Sequence, residues 1–221
     1  MPGWAVEQVT ASPQALHERA APERGRRFVC VCRATGPALV IGSAQPRAHV
    51  DEARARAAGV AIVRRRSGGG AVLVDADGPV WIDVNLPAGD PLWDDDVGRA
   101  FGWLGRTWVD ALEQVGVAGA VAHEGALQTS DWSSRVCFAG LGPGEVTLLD
   151  CKVVGMSQRR TRDGALFQCA ALLSWDPAPL VDLLALSEDE RGSARGELAQ
   201  VAAGLHVDGD ELVDTLVSCL P

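Results

Sequence analysis

Residues 64–75 read RRRSGGGAVLVD, and this stretch constrains the architecture more than any other part of the chain. Three successive glycines remove every side chain from the backbone, so the loop can approach a ligand closely and point N–H groups at an anion. The arginines before it can bind a carboxylate or phosphate through two parallel hydrogen bonds. The loop lacks Gly-Lys-Ser/Thr and leads into a strand, so it is neither a P-loop nor a dinucleotide fingerprint. It predicts an anion-binding connection between two strands, with a merely flexible hairpin as the alternative.

Valine- and isoleucine-rich runs bounded by turn residues continue on both sides of this loop. They predict strands over residues 27–32, 38–41, 60–63, 71–74, 80–86, 136–138, 145–149, 152–158 and 165–173. Helices are predicted at Pro13, over 50–58, after Asp94-Asp95-Asp96 with apolar positions from Val97 to Val115, and after capping signals at Ser187 and Asp208. This pattern predicts an α+β fold with a mixed, mostly antiparallel sheet flanked by helices.

The length, composition and net charge of the chain argue against several classes of protein. The chain has 221 residues, is 47% hydrophobic and carries a formal net charge of −9. We predict a single domain over residues 1–221 in which residues 176–221 form a helical C-terminal extension, without a separate accessory domain. The chain lacks the basic footprint of a nucleic-acid binder, an apolar run long enough to span a membrane, and a secretory signal. We therefore expect a cytoplasmic protein with neither nucleic acid nor a membrane as its partner.

The six cysteines are scattered, and the closest pair is Cys30-x-Cys32. This spacing is neither a metal knuckle nor a disulfide framework, so no metal site is predicted and reduced thiols fit a cytosolic setting. Cys137 stands out because the glycine-rich turn 139–144 follows it. A thiol beside such a loop and near basic residues can act as a nucleophile. The alternative is a buried, inert cysteine.

Among the 20 basic residues, Lys152 is the one lysine. It begins the predicted strand 152–158, which reads KVVGMSQ. A lysine at the end of an apolar strand can hold a carbonyl or phosphate oxygen at the mouth of an apolar pocket. The alternatives are a solvated lysine that protects a sheet edge, or a single lysine left by a composition biased toward arginine.

Three segments occur in a recognisable order. Residues 37–45 read PALVIGSAQ and contain Ile-Gly-x-x-Gln; residues 64–75 contain Arg-Arg-x-Ser-Gly-Gly-Gly; and residues 152–158 carry the lysine. Together they resemble the lipoate–protein ligase A and octanoyltransferase family, which is related in fold to the biotin protein ligases. The resemblance covers residues 37–173 and implies a biotin/lipoate ligase-like, class II synthetase-like fold.

The resemblance implies an enzyme that attaches a lipoyl or octanoyl group to a lysine of a lipoyl-acceptor domain, through an acyl-adenylate made from ATP with Mg²⁺. The acceptors would be lipoyl domains of 2-oxoacid dehydrogenase or glycine cleavage proteins. Lys152 would hold the acyl carbonyl or the phosphate, and Arg64 or Arg65 would contact the activated carboxyl end. The substrate-binding residues that it implies are Gly42, Gln45, Arg64, Arg65, Ser67, Gly68, Gly69, Gly70, Val72, Asp75, Gly155 and Ser157.

Departures from the family pattern leave two alternatives open. No Asn-Asp pair precedes the lysine, Gln168-Cys169-Ala170 stands where the family has His-Gly, and residues 176–221 are too few for an accessory domain. Cys137-Phe138 resembles the loop of octanoyltransferases that use a cysteine. The first alternative is an ATP-independent transferase without a cofactor, in which Cys137 carries the acyl group as a thioester. The second is a non-catalytic lipoyl-binding protein or a partner subunit of a two-protein ligase.

Overall fold

Two β-sheets and the helices around them make up the computed structural model, which describes residues 3–19 and 25–221. The strands are β1 (Ala5–Ala11), β2 (Phe28–Ala34), β3 (Ala38–Ile41), β4 (Ala61–Arg64), β5 (Val72–Val74), β6 (Val80–Pro87), β7 (Ala120–Ala122), β8 (Val146–Leu148), β9 (Cys151–Thr161) and β10 (Gly164–Ala171). The helices are α1 (Pro13–Glu18), α2 (Glu52–Ala57), α3 (Gly102–Gln114), α4 (Ala178–Asp182), α5 (Glu188–Leu198) and α6 (Gly209–Ser218).

The large sheet has the order β1-β2-β6-β10-β9-β8-β7, and all its pairs are antiparallel except β1 with β2. The small sheet has the order β4-β3-β5, with β4 parallel and β5 antiparallel to β3. The glycine-rich loop 65–71 therefore connects the two edge strands of the small sheet. The prediction of a mixed, mostly antiparallel sheet flanked by helices is confirmed.

Four layers build the core. Helices α3 and α6 cover one face of the large sheet, where Trp108 and Leu212 are fully buried. Strands from both sheets share a second apolar cluster that includes Val40 and Trp81. Helices α2, α4 and α5 pack against the small sheet. Burying each large apolar side chain contributes about 1.5–3 kcal/mol, so the helices of residues 176–221 are integral to this core.

Several boundaries follow from local chemistry. Ser12 and Asp51 cap α1 and α2 through hydrogen bonds to backbone N–H groups, which confirms the helices predicted there. A two-residue turn, Arg162-Asp163, joins β9 to β10, and Thr161 pairs with Gly164 across it. Helix α3 begins at Gly102, after a 3-10 turn, and Val97 is exposed, so the predicted start of the helix near Val97 is wrong.

The strand predicted over residues 136–138 is also wrong. Cys137–Ala139 form a 3-10 turn, and Val136 makes one isolated parallel bridge to Ala71. The carbonyl of Cys137 accepts from the Lys152 ammonium instead of from a neighbouring strand. Strands β1 and β7 are additional to the prediction; β1 is a polar edge strand without the apolar alternation that marks a half-buried strand. Within the described part of the chain, no helix is long and apolar enough to cross a membrane.

Candidate active site

The glycine-rich loop wraps around the side chain of Arg65. This guanidinium is buried and donates to the carbonyl oxygens of Gly68, at 2.7 Å, and Gly70, at 3.0 Å. Gly69 has a φ of +99°, and a Cβ there would lie 2.7 Å from Arg65 Nη2. A Cβ on Gly70 would lie 2.6 Å from the backbone of Val136. Two of the three glycines are therefore required by contacts within the loop and with the segment that carries Cys137.

Residues 42–45 pack against the glycine-rich loop. A Cβ on Gly42 would lie 1.9 Å from the carbonyl oxygen of Gly69, so the two backbones touch. Gln45 is buried and donates to the carbonyl of Arg135 at 3.0 Å. Arg64 donates to the carbonyls of Gly42, at 2.7 Å, and Gln45, at 2.8 Å. Gly42, Gln45 and Arg64 thus hold the loop, and the Arg64 guanidinium is engaged by backbone.

Lys152 is buried, unlike the solvated edge lysine considered above. Its ammonium donates to the carbonyls of Cys137, at 3.0 Å, and Gly140, at 2.9 Å, and pairs with Glu145 Oε2 at 2.7 Å. It also lies 5.1 Å from the centre of the Phe138 ring. An ammonium has three N–H donors, so each one has a partner.

Glu145 is a site residue that the sequence analysis missed. Its carboxylate accepts the backbone N–H of Gly142 at 2.6 Å and that of Met156 at 2.8 Å, besides pairing with Lys152. Two amides and one ammonium satisfy this buried charge and fix the turn 140–145 against β9. No spacing rule in the sequence links Glu145 to Lys152; the pairing of β8 with β9 brings them together.

A narrow apolar slot with a cavity volume of about 40 Å³ lies between the two sheets. It is lined by His17, Val40, Arg65, Val72, Val74, Trp81, Cys137, Phe138, Gly155, Met156, Ser157, Gln168, Cys169 and Ala170. Gly155 leaves room at the slot wall, because a Cβ there would lie 3.2 Å from both Lys152 Cε and Phe138 Cζ. Among the residues implied by the resemblance, Arg65, Val72, Gly155 and Ser157 line this slot.

A wider and more open cleft of about 530 Å³ adjoins the slot. Its lining includes the loop Gly68–Gly70, Lys152 and a row of hydroxyl side chains at Thr129, Ser130, Ser133 and Ser134. Slot and cleft share Arg65, Cys137, Met156 and Ser157. The arrangement suits a ligand whose apolar chain widens the slot and whose polar head lies in the cleft, with the junction between them at these residues.

Cys137 occupies that junction. Its side chain is half-buried, and Arg65 Nη2 lies 3.8 Å from its sulfur. Its backbone N–H donates to the carbonyl of Ala71 at 2.8 Å, which ties it to the glycine-rich loop. The structure therefore brings together both residues expected to be catalytic, Cys137 and Lys152, through the carbonyl of one and the ammonium of the other.

A chain of polar side chains runs along one wall of the slot. The hydroxyls of Ser67 and Ser157 lie 2.9 Å apart, Ser67 donates to Gln168 at 3.2 Å, and Gln168 donates to Asp83 at 3.3 Å. Burial raises the pKa of the Asp83 carboxyl to about 6. Burial, and then the charge of Arg65, lower the pKa of His17 to about 4. Gln168, where the family has His-Gly, thus links the loop to a buried carboxyl.

Asp75 is the outlier among the implied residues. It is exposed, its carbonyl accepts the N–H of Gly78 in a turn, and it lines neither slot nor cleft. Within residues 3–19 and 25–221, no group of three or more His, Cys, Asp and Glu side chains could hold a metal ion.

The model of the family "Lipoyl protein ligase A/B catalytic domain" matches residues 7–207. A bi-partite lipoate protein ligase from Thermoplasma acidophilum, described with its E2 lipoyl domain, superposes with a TM-score of 0.77 at 19% identity, over 99% of this chain and 82% of that one. A lipoate protein ligase structure from the same organism with bound lipoic acid gives 0.71 at 18%, over 99% and 84%. A lipoate-protein ligase A bound with ATP gives 0.71 at 16%, over 99% and 84%. No curated protein sequence matches the chain.

Proposed function

This chain belongs to the lipoyl protein ligase A/B catalytic domain family, and on that premise we propose that it attaches a lipoyl or octanoyl group to a lysine of a lipoyl-acceptor domain through an acyl-adenylate. The observation that carries the proposal is the apolar slot that opens into a polar cleft beside Lys152. An eight-carbon acyl chain offers little except methylenes to bind. At about 0.8 kcal/mol each, six buried methylenes contribute about 5 kcal/mol to the free energy of binding. In this proposal the slot binds the acyl chain, and the polar groups of the cleft act on its carboxyl end.

In the first half-reaction, the carboxylate of the acyl chain attacks the α-phosphate of ATP and pyrophosphate leaves. ATP enters as a substrate, and Mg²⁺ accompanies its phosphates. Gly68–Gly70 and Lys152 line the cleft. We assign to the loop amides and the Lys152 ammonium the stabilisation of the negative charge that develops there. Lys152 reaches the substrate by exchanging one of its two carbonyl partners, while Glu145 keeps its charge in place.

In the second half-reaction, the ε-amine of the acceptor lysine attacks the acyl carbonyl. The carbon–oxygen bond to AMP breaks, an amide forms, and the amine loses a proton. Arg65 is tied to the loop carbonyls, so its part is to hold the loop and keep a positive charge at the junction. Ser157 lines both slot and cleft, and the buried hydroxyl of Ser67 lies 2.9 Å from its hydroxyl.

The similar structures support the proposed substrates and the proposed acceptor domain. Similar structures contain lipoic acid and ATP, which supports these two substrates. A similar ligase is bi-partite and is described with an E2 lipoyl domain, which supports a lipoyl domain as acceptor and makes an accessory subunit a further candidate partner. We place the reaction in the cytoplasm, on the lipoyl domains of 2-oxoacid dehydrogenase or glycine cleavage proteins, in a single catalytic domain that includes residues 176–221.

A second candidate rests on the position of Cys137. Its half-buried sulfur lies at the junction of slot and cleft, 3.8 Å from Arg65. In this reaction the Cys137 thiolate attacks an acyl thioester, and the donor thiol leaves with a proton. The acceptor lysine then attacks the enzyme thioester, which restores the cysteine and forms the same amide. No ATP is consumed.

The experiment measures the intact mass of a purified lipoyl domain after incubation with the enzyme in two mixtures. One mixture contains lipoate with Mg-ATP, and the other contains an octanoyl-carrier thioester without ATP. Modification with ATP alone supports the ligase. Modification from the thioester, with an octanoyl adduct on Cys137, supports the transferase, and Cys137→Ser then removes it. If neither mixture modifies the domain, a missing partner subunit or a binding protein becomes the better account.

A further inference from the structure

The slot runs across three neighbouring strands of the large sheet. Its lining includes Met156 and Ser157 of β9, Gln168 and Ala170 of β10, and Trp81 of β6. Strand β10 pairs with β9 on one side and with β6 on the other. Among the residues that the structure describes, those of β9 reach the cleft, and none of β10 or β6 does. The slot therefore extends from the cleft beside β9 toward β6.

A row of three paired residues lines the slot in this direction, and its side chains increase in size. Gly155 pairs with Ala170, and Ala170 pairs with Trp81, so the three side-chain positions lie in line on one face of the sheet. With increasing distance from the cleft, the row presents no side chain, then a methyl group, then an indole. The first two positions leave space beside the sheet, and the indole closes it.

The indole of Trp81 is held in one orientation. Its Nε1 donates to Asp83 Oδ1 at 2.8 Å. The imidazole of His17 packs on it, with the two ring centres 4.5 Å apart. Trp81 is 6% exposed, so protein rather than solvent lies behind it. Because a hydrogen bond and close packing both fix the ring, Trp81 forms a rigid end to the slot.

We propose that Trp81 is the end wall of the slot and limits the acyl group that this site accepts to a straight chain of about eight carbons. The inference rests on the proposed function, in which the slot binds the acyl chain. Strands β9 and β6 are two strand spacings apart, about 9.5 Å, and an extended chain of eight carbons has about this length. A longer chain meets the indole and has to leave carbons in the cleft, which removes the gain from burying them. Asp83 is the positioning residue of this wall, since its carboxyl group holds the indole.

Binding of straight-chain carboxylic acids to the full chain tests the length limit without requiring catalysis. In titration calorimetry, the affinity should rise roughly fourfold for each added carbon from hexanoate to octanoate, because each methylene is buried. Dodecanoate should bind roughly tenfold or more weakly than octanoate, because its last carbons do not fit. An affinity that keeps rising through dodecanoate, or no binding at any chain length, would overturn the proposal.

Three variants assign the limit to Trp81. In Trp81→Ala, dodecanoate should bind at least as tightly as octanoate, because the wall is gone. Trp81→Phe keeps a smaller aromatic ring without the hydrogen bond to Asp83, so dodecanoate should gain roughly threefold relative to octanoate. Trp93→Ala is the matched control: it removes an indole outside the slot and the cleft, and the ratio of the two affinities should stay unchanged. A folded Trp81→Ala protein with the wild-type ratio, or an equal gain in Trp93→Ala, contradicts the assignment; the wild-type series stands independently of whether a variant folds.

Acyl transfer separates this inference from the proposed function. With Mg-ATP and a lipoyl domain, the ratio of kcat/KM for dodecanoate to that for octanoate should rise roughly tenfold or more in Trp81→Ala. If binding shows the length limit but no acyl group of any length is transferred, the failure lies with the proposed reaction and the end wall stands. If the wild type transfers octanoate and dodecanoate with equal kcat/KM, the reaction stands and the end wall is refuted.

Discussion

Two ion pairs, Arg27–Asp90 and Lys152–Glu145, are buried to nearly the same extent but are held by different sets of hydrogen bonds. Arg27 and Asp90 have side chains 7% and 6% exposed, and Lys152 and Glu145 have side chains 4% and 7% exposed. Arg27 grips both oxygens of Asp90, at 2.8 and 2.9 Å, and lies outside the slot and the cleft. Lys152 reaches one oxygen of Glu145 and faces the cleft.

The two pairs differ in whether a hydrogen-bond partner of the cation can be exchanged for a ligand atom. A planar guanidinium in a two-bonded grip is fixed in place, whereas an ammonium is a compact charge whose donors rotate. Two of the three Lys152 donors go to carbonyls of the segment that also lines the cleft. A ligand oxygen can replace such a carbonyl without uncovering the charge. We therefore propose a role in the reaction for the ion pair whose cation has replaceable partners, and a structural role for the other.

The largest effect is expected from Lys152→Ala. Acyl transfer to a lipoyl domain should fall by about 10²–10³-fold or more, because the charge that faces the cleft is gone. The variant should also lose stability, since Glu145 remains buried without its cation. The measurement is the rate of mass gain of the acceptor, alongside thermal unfolding. Lys152→Ala with Glu145→Gln is the control: it should recover stability and stay inactive, and recovered transfer would sink the role given to Lys152.

Arg27→Ala should act on stability alone. Asp90 would be left buried without its partner, so the free energy of unfolding should drop by roughly 3–5 kcal/mol. Urea denaturation measures this drop, and the transfer rate per folded molecule should match that of the wild type. A reduced rate in fully folded Arg27→Ala protein would remove the distinction between the two pairs.

A third buried carboxyl, that of Asp83, extends the comparison. Among the described residues, it has no cation in direct contact; its side-chain partners are Trp81 and Gln168. Its pKa is raised to about 6, so the folded state binds more protons than the unfolded state between pH 4 and 6, and this favours the fold at the acid end. The lowered pKa of His17, about 4, acts in the opposite direction over the same window. Removing Asp83 should expose the contribution of His17.

In Asp83→Asn, the free energy of unfolding should rise with pH between 4 and 6 more steeply than in the wild type, by at most roughly 1.4 kcal/mol per pH unit. Urea titrations at several pH values measure the slope. His17→Gln is the matched control, whose slope should change in the opposite direction. Parallel wild-type and Asp83→Asn curves would contradict the raised pKa.

The smallest effect is expected from Asp75→Ala, an exposed carboxylate. It lines neither slot nor cleft, so stability should stay within about 0.5 kcal/mol and the transfer rate within about twofold. Acceptor labelling and thermal unfolding measure both. A large loss of transfer would restore the substrate-binding role that the resemblance implied for Asp75.

Local chemistry made much of the fold predictable. Ser12 and Asp51 cap their helices with their own side chains, and the two-residue turn Arg162-Asp163 joins β9 to β10. The 3-10 turn at Cys137 was not predictable from the local sequence, because the partner of the Cys137 carbonyl is the ammonium of Lys152, which comes from another strand. Strand β1 escaped prediction because it is a polar edge strand held by its pairing with β2.

For the site, the sequence by itself determined which residues are unusual: the glycine run, the single lysine and Cys137. Tertiary structure decided what each one touches. It turned Arg64 and Arg65 toward backbone carbonyls, gave Lys152 the partner Glu145, and left Asp75 in solvent. The physical reason is that composition and spacing fix local backbone preferences, whereas the partners of a buried charge come from strands that meet only when the two sheets pack together.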